Sequence, residues 1–409
     1  MKDVIKIPEF MLPQGVEYKK WAVIACDQFT SQPDYWEKVE KEVGDAPSTL
    51  RLIFPEVYLG KDDEKRIAEI GKAANSYLES GVLGKTTKGF VLIERTTPYA
   101  EKRLGLLLCV DLEEYSYHIQ DMARIRATEA TIPERIPPRV IIRKGSPVEL
   151  PHILLLMDDE KRSVIEPLYE KREQFDKLYD FDLMAGGGHI RGYLIPETED
   201  VLGKLYALVT PARMMEKYGN ESEFLFAVGD GNHSLATAKT CWDAIKQTLS
   251  EEERLTHPAR FALCELENIY DEGLCFEPIH RLVLGVDVEK FVSEFAAQDS
   301  PYRLVSANAE FSVALASDLA GSIRVLDEKI AAYIKKNGGK VDYVHGEDDV
   351  IGLAKKEGGV AFVLPKMDKA DLFVGVAKHG NLPKKTFSMG EAVEKRYYLE
   401  AKMIAPSKK

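Results

Sequence analysis

Apolar residues along this chain fall into two kinds of run that alternate. Short continuous runs closed by charged or turn residues predict strands at 21–26 (WAVIAC), 89–94 (GFVLIE) and 104–112 (LGLLLCVDL). Between them, residues 34–43 and 62–80 repeat apolar positions with a helical spacing and charges on the intervening positions, so both read as helices. The middle of the chain continues with the 139–143 segment, a strand over 153–157, a charged helix over 162–179 and a strand over 189–195. A helix over 201–218, a strand over 224–228 and a helix from 234 to 249 follow. The last third keeps the habit, with helices expected over 326–336, 349–357 and 369–376 and strands over 341–344 and 360–364. Alternation of this kind predicts a layered, mixed α/β fold. The 409 residues exceed what one core organises, yet no repeat, low-complexity tract or linker divides them. We expect three interlocked regions: 1–135, 136–300 and 301–409.

Composition narrows the partners. A formal charge of −12 disfavours general binding of long nucleic acid, which needs clustered excess Lys and Arg. No run approaches the roughly 18 apolar residues of a membrane span, and the opening MKDVIKIPEF has charges too soon for a signal core. The five cysteines are scattered without CxxC spacing, as expected of buried small hydrophobes in a reducing cytoplasm. Cys26, at the end of the first apolar run, is the one with some claim to be a nucleophile. The eight histidines show no HxxxH or HExxH spacing, so no metal constellation is expected. Oligomeric state is not legible.

One motif stands out. The apolar run 224–228 passes through Gly229-Asp230-Gly231-Asn232-His233-Ser234 into a good helix pattern. At such a turn the helix N-terminus presents unsatisfied N–H groups and the positive end of its dipole, so an anion fits there. Gly229 and Gly231 permit positive φ and close approach, Asn232 or Ser234 is suited to capping, and His233 supplies an acid or base. Asp230 beside an anion needs a reason, and holding Mg²⁺, orienting His233 or accepting a hydroxyl proton each provides one. A tight connection with a polar cap explains the same residues without any ligand. The run is neither a Walker loop nor a dinucleotide fingerprint, since the lysine of the one and the third glycine of the other are missing.

Other groups qualify as helpers. Arg126, Glu129 and Arg139 lie in a stretch broken by prolines at 133, 137 and 138, read as a constrained loop that bars a regular helix past 132. Constrained arginines suit phosphate or carboxylate recognition, and a solvated loop of ion pairs is the bland alternative. The glycine run 185–188 precedes a strand and so lacks the dipole argument, which makes a hairpin tip the better reading. His189 and Arg191 then share one strand face. His280 and Arg281 are expected near a strand entry.

The chain resembles the prokaryotic family called domain of unknown function 1015, whose signature reads approximately DGHHRYE followed by helix alanines. The matching stretch is Asp230 to Ala238, with Asn232 in place of the first histidine and Ser234 in place of the arginine. Further likenesses are Arg126-Ala127-Thr128-Glu129-Ala130-Thr131 with Arg139, Gly188-His189-Ile190-Arg191, Pro278-Ile279-His280-Arg281 and Leu382-Pro383-Lys384-Lys385-Thr386. The turn is also similar, more distantly, to the ParB/sulfiredoxin-like group, which includes free serine kinase. That likeness implies a ParB/sulfiredoxin-like core with added α/β layers and phosphoryl or nucleotide chemistry with Mg²⁺ and ATP or ADP. An association of the resembled family with serine biosynthesis implies serine or phosphoserine as substrate. The expected function is therefore phosphoryl transfer or hydrolysis on a small metabolite, with catalytic His233 and Asp230. Gly231, Asn232, Ser234, Arg126, Glu129, Arg139, His189, Arg191, His280 and Arg281 would bind the ligand. The rival is a non-catalytic sensor of a nucleotide or metabolite that acts through a protein partner. With Ser234 where relatives carry arginine, another cation must serve the phosphate.

Overall fold

In the computed structural model, which describes residues 4–118, 121–131, 133–220, 223–316 and 318–406, the fold is mixed α/β. The contacts divide the chain into two units, Met1–Leu274 with Glu391–Lys409, and Cys275–Gly390. Cuts at 135/136 and 300/301 do not follow this division, because strands from both sides of residue 135 share one sheet.

The first unit is built on a ten-stranded mixed sheet. Its strands are β1 (Ile5–Lys6), β2 (Val91–Thr96), β3 (Arg103–Asp111), β4 (Tyr115–Ser116), β5 (Ile125–Ala127), β6 (Leu154–Met157), β7 (Asp176–Asp182), β8 (His189–Leu194), β9 (Phe226–Asp230) and β10 (Phe261–Asn268). The order across the sheet is β7-β8-β2-β3-β10-β6-β9-β5-β4, with β1 on β3. Every residue of β3 is buried, so its near-continuous apolar run reads as a strand covered on both faces. The faces alternate with period two: Leu106, Leu108 and Val110 join one core, and Leu107 and Cys109 the other.

Three helices bear on the site: α1 (Asp63–Glu79), α2 (Ile136–Lys144) and α3 (Asn232–Ile245). Helix α2 corrects the expectation of a constrained loop. Proline is tolerated in the first turn, where its missing N–H has no intrahelical partner, and the prolines at 137 and 138 occupy those positions. Ile132 lies outside the described residues. The charged helix expected over 162–179 is also corrected: only Ile165–Glu170 is α-helical, and 176–182 is the edge strand β7. Charged residues alternating on an exposed edge imitate a solvated helix, because the edge buries so little. Pro211 breaks the helix expected over 201–218 into Val201–Tyr206 and Pro211–Tyr218. The run at 21–26 contributes only the short strand Val23–Ile24, which pairs with Tyr397–Tyr398 near the end of the chain.

The second unit has its own six-stranded sheet. Strands β11 (Phe276–Leu284), β12 (Arg303–Val305), β13 (Glu310–Ser312), β14 (Lys340–His345) and β15 (Val360–Val363) run in the order β13-β12-β15-β11-β14, with β16 (Phe387–Met389) on β11. Helices α4 (Leu319–Asn337), α5 (Glu347–Glu357) and α6 (Lys369–His379) accompany it. Ile323, Leu326 and Ile330 of α4 pack with Phe362 and Leu304 in one core, and Val350 and Ala354 of α5 with Leu282 and Ala361 in another. No helix among the described residues is long and apolar enough to cross a membrane.

Candidate functional site

The β9–α3 turn is a strand-to-helix connection in which Gly231 adopts φ +80°. A Cβ there would lie 3.0 Å from the Ile153 Cα and 3.5 Å from the His152 ring, so the glycine serves both the left-handed backbone and the close approach. Gly231 is the N-cap of α3 and no side chain caps the helix. Strands β6 and β9 are antiparallel, with Leu154 opposite Asp230. The entry of β6, with His152, is thereby set against the exit of β9.

Asp230 sits at the strand end with Lys395 Nζ 3.2 Å from its carboxylate and the Gly231 N–H donating to Oδ1 at 2.9 Å. Burial alone would raise this carboxyl, but the Lys395 ammonium and the Gly231 N–H hold it below the usual carboxylate range. Lys395 is delivered by the returning C-terminal segment. The buried Arg95 of β2 donates to the carbonyls of Val393, Glu394, Lys395 and Gly187, and its desolvation lowers its pKa to about 9. The next residue, Arg396, is buried among Glu265, Glu400 and the Pro151 carbonyl, the last at 3.1 Å, which pins the backbone just before His152.

His152 is held at both ring nitrogens. Nε2 lies 2.7 Å from Ser234 Oγ in the first turn of α3, and Nδ1 lies 2.7 Å from the Tyr398 hydroxyl. That hydroxyl accepts from the Cys26 N–H and donates to Cys26 Sγ, both at 3.2 Å. Burial, then Asp27, pushes the Cys26 thiol up to about 12, which leaves it a protonated acceptor and a poor nucleophile. Ser234, His152, Tyr398 and Cys26 line one cavity of about 150 Å³, together with Arg139 and Glu56, which are ion-paired. Its other walls are mainly aliphatic, from Ile70, Ile142, Val148, Leu150 and Leu263.

Asp230, Gly231, Ser234 and Arg139 of the sequence-derived set thus meet in one neighbourhood. Asn232 is the first residue of α3, and its buried Oδ1 finds no hydrogen-bond partner among the described residues. His233, the second, is half-buried and accepts from Thr237 Oγ1 at its carbonyl. Glu129 is half-buried and lies two residues beyond Ala127, the partner of Val228, as Asp230 lies two beyond Val228. Arg126 turns the other way: its Nε donates to the Ala123 carbonyl and its guanidinium lies 4.4 Å over the Phe224 ring.

Two of the others lie across the sheet of the first unit, and two belong to the second unit. His189 and Arg191 do share a strand face, where His189 bonds Asp180 and Asp182 and Arg191 bonds Glu94 and Asp180. Their strand β8 is five places from β9 in the sheet order, on the order of 24 Å at about 4.8 Å per strand. His280 and Arg281 belong to the second unit. Arg281 is wholly buried and engages Asp327 and the carbonyls of Ile279, Lys384 and Lys385, and His280 Nδ1 accepts from the Leu364 N–H at 3.1 Å. Lys395, His152 and Tyr398 were missed. Each is isolated in sequence, and only strand pairing across more than 200 residues gathers them, so no spacing signals them. Among the described residues no three His, Cys, Asp or Glu groups are placed to hold a metal ion.

The profile of a family described as a protein of unknown function, DUF1015, matches residues 12–399. No curated protein matches. Solved structures with a distant likeness include free serine kinase in complex with AMP, at 10% identity and TM-score 0.38 over 73% of this chain and 92% of that one. A mutant of free serine kinase in complex with ADP gives 11% identity and the same TM-score of 0.38 over the same shares, 73% and 92%. A C-terminally truncated SbnI from Staphylococcus aureus shows 12% identity and TM-score 0.36, over 69% of this chain and 82% of that one. Likenesses this distant carry no chemistry across.

Proposed function

The chain belongs to the DUF1015 family, and from its own site we propose that it is an enzyme that binds a small phosphorylated metabolite or nucleotide at the β9–α3 turn and transfers or hydrolyses a phosphoryl group. The observation that carries this reading is the Asp230–Lys395 pair set at the N-terminal end of an α3 that no side chain caps. Phosphoryl transfer asks a protein mainly to position the group and neutralise developing charge. Gly231, Asn232 and the first turn of α3 would hold phosphoryl oxygens. Lys395 is the cation that would stand in for the arginine replaced by Ser234, while Arg139 is already paired with Glu56. Asp230, kept ionised, would accept the proton of an attacking hydroxyl, and His233 would act as acid or base. In transfer, ATP or ADP would give its terminal phosphoryl group to the serine hydroxyl; in hydrolysis, phosphoserine would give its phosphoryl group to water.

A single carboxylate suits only a Mg²⁺ that arrives on nucleotide phosphates and keeps several waters. Asp230 fits that role, and Glu129, two residues past the end of the adjacent strand β5, is the second candidate. Mg²⁺ would supply charge neutralisation between phosphate oxygens.

The test is a thermal-shift screen of the full chain over ATP, ADP, serine and phosphoserine with Mg²⁺, followed by phosphate release and product mass. A true ligand at 100 times its Kd stabilises by about 2.7 kcal/mol. Asp230→Asn and His233→Ala should each lower turnover by about 100-fold or more. No melting shift with any of these compounds, or unchanged turnover in both variants, removes the reading.

A further inference from the structure

His152 stands between the Tyr398 hydroxyl and the Ser234 hydroxyl, 2.7 Å from each. The Tyr398 oxygen has one proton and two lone pairs. Its proton goes to Cys26 Sγ and one lone pair takes the Cys26 N–H. The Tyr398 oxygen also faces His152 Nδ1 at 2.7 Å, a contact that the tautomer with its proton on Nδ1 makes by donating. A neutral imidazole protonated at Nδ1 has an acceptor at Nε2, and that acceptor lies 2.7 Å from Ser234 Oγ. In that tautomer the Ser234 hydroxyl donates to a base whose ring a third group holds in place, the arrangement an activated nucleophile requires.

The surroundings agree. Ser234 lies in the first turn of α3, directly after a strand-to-helix turn, where the helix dipole favours negative charge developing on oxygen. It opens on the cavity of about 150 Å³, and an apolar space of roughly that size accepts a six-carbon ring. Arg139 and Arg143 on its wall are already paired with Glu56 and Glu149, so the charges there are closed and the aliphatic walls favour an apolar occupant.

We propose that Ser234 is a nucleophile, with His152 as its base and Tyr398 as a positioning residue, acting on carboxylic esters or thioesters of short apolar acids. Ser234 Oγ attacks the acyl carbonyl carbon while its proton passes to His152 Nε2. The bond from that carbon to the alkoxide or thiolate breaks, and the leaving group takes the proton from Nε2. Water then repeats the step, its proton going to Nε2 and returning to Ser234 Oγ as the acid is released. This activity stands on the Ser234 side of the turn and does not depend on the phosphoryl reading.

The full chain is treated with an alkyl fluorophosphonate, the adduct is mapped by mass spectrometry, and p-nitrophenyl butyrate hydrolysis is followed. The expected result is one adduct, on Ser234, with both adduct and hydrolysis lost in Ser234→Ala while its melting curve is kept. His152→Ala should slow labelling about 100-fold, with added imidazole restoring part of the rate. Tyr398→Phe should lower kcat with KM unchanged, because it disturbs the base and leaves the cavity walls in place. No adduct on Ser234, hydrolysis that survives in Ser234→Ala, or wild-type labelling in a folded His152→Ala overturns the proposal. If His152→Ala does not fold, the wild type decides: protection of Ser234 from labelling by p-nitrophenyl butyrate supports the proposal and lack of protection overturns it.

Discussion

At the scale of single residues, Asp230 controls two measurable properties. Its folded pKa is depressed, so its contribution to stability is present above the unfolded value of about 3.9 and is lost as pH falls through the folded one. The difference in melting temperature between wild type and Asp230→Asn, followed from pH 6 downwards, should therefore hold steady and then shrink below about pH 4. Lys395→Ala leaves that carboxylate without its cation in a largely buried place. A loss of about 1–3 kcal/mol by denaturant titration is expected, the size of a hydrogen bond to a charged group. Arg281 answers to different physics. With its side chain fully buried against Asp327, Arg281→Ala should cost about 3–5 kcal/mol by stranding a charge. Its calorimetric transition should shift whether or not ligand is bound. An arginine that looked like a phosphate ligand in sequence is accounted for by bonds inside its own unit.

At the scale of elements, the site is a product of strand order. The exit of β9 meets the entry of β6 because the two are antiparallel, and Tyr397–Tyr398 reaches the same place by pairing with Val23–Ile24. The β7–β8 hairpin lies at the far edge of that sheet. His189→Ala and Arg191→Ala should accordingly leave any ligand-induced melting shift at the wild-type value, and each should change stability by no more than about 1 kcal/mol, as for exposed ion pairs. A lost ligand shift in either variant contradicts this placement. Helix α2 shows how local reading goes astray. Three prolines within six residues read as helix breakers, whereas their effect depends on whether they fall in the first turn or beyond it. The Gly231 turn shows local reading succeeding, since a GxG between an apolar run and a helical pattern leaves few other conformations open.

At the scale of the whole molecule, the second unit begins and ends side by side. Phe276 pairs with Met389, and the Gly390 N–H donates to the Cys275 carbonyl at 3.0 Å. With its own cores, Cys275–Gly390 should fold alone and melt in one cooperative step by calorimetry, as independent domains do. Conversely, Leu274 joined to Glu391 by a short Gly-Ser linker should keep ligand binding at the β9–α3 turn, because Asp230, Lys395, His152 and Ser234 all belong to the first unit. The amino-acid sequence by itself determined the mixed α/β class, the Gly231 turn with its helix, and, in the last third, helices α4, α5 and α6 with strands β14 and β15. Those features rest on period and on local backbone chemistry, which a short window contains. Only the tertiary structure decided which of the candidate arginines, histidines and carboxylates share a site. It placed His189 and Arg191 across the sheet, kept His280 and Arg281 within the second unit, and brought Lys395, His152 and Tyr398 to the turn. That choice depends on strand order and chain return over hundreds of residues, and neither leaves a periodic trace in the residues that it brings together.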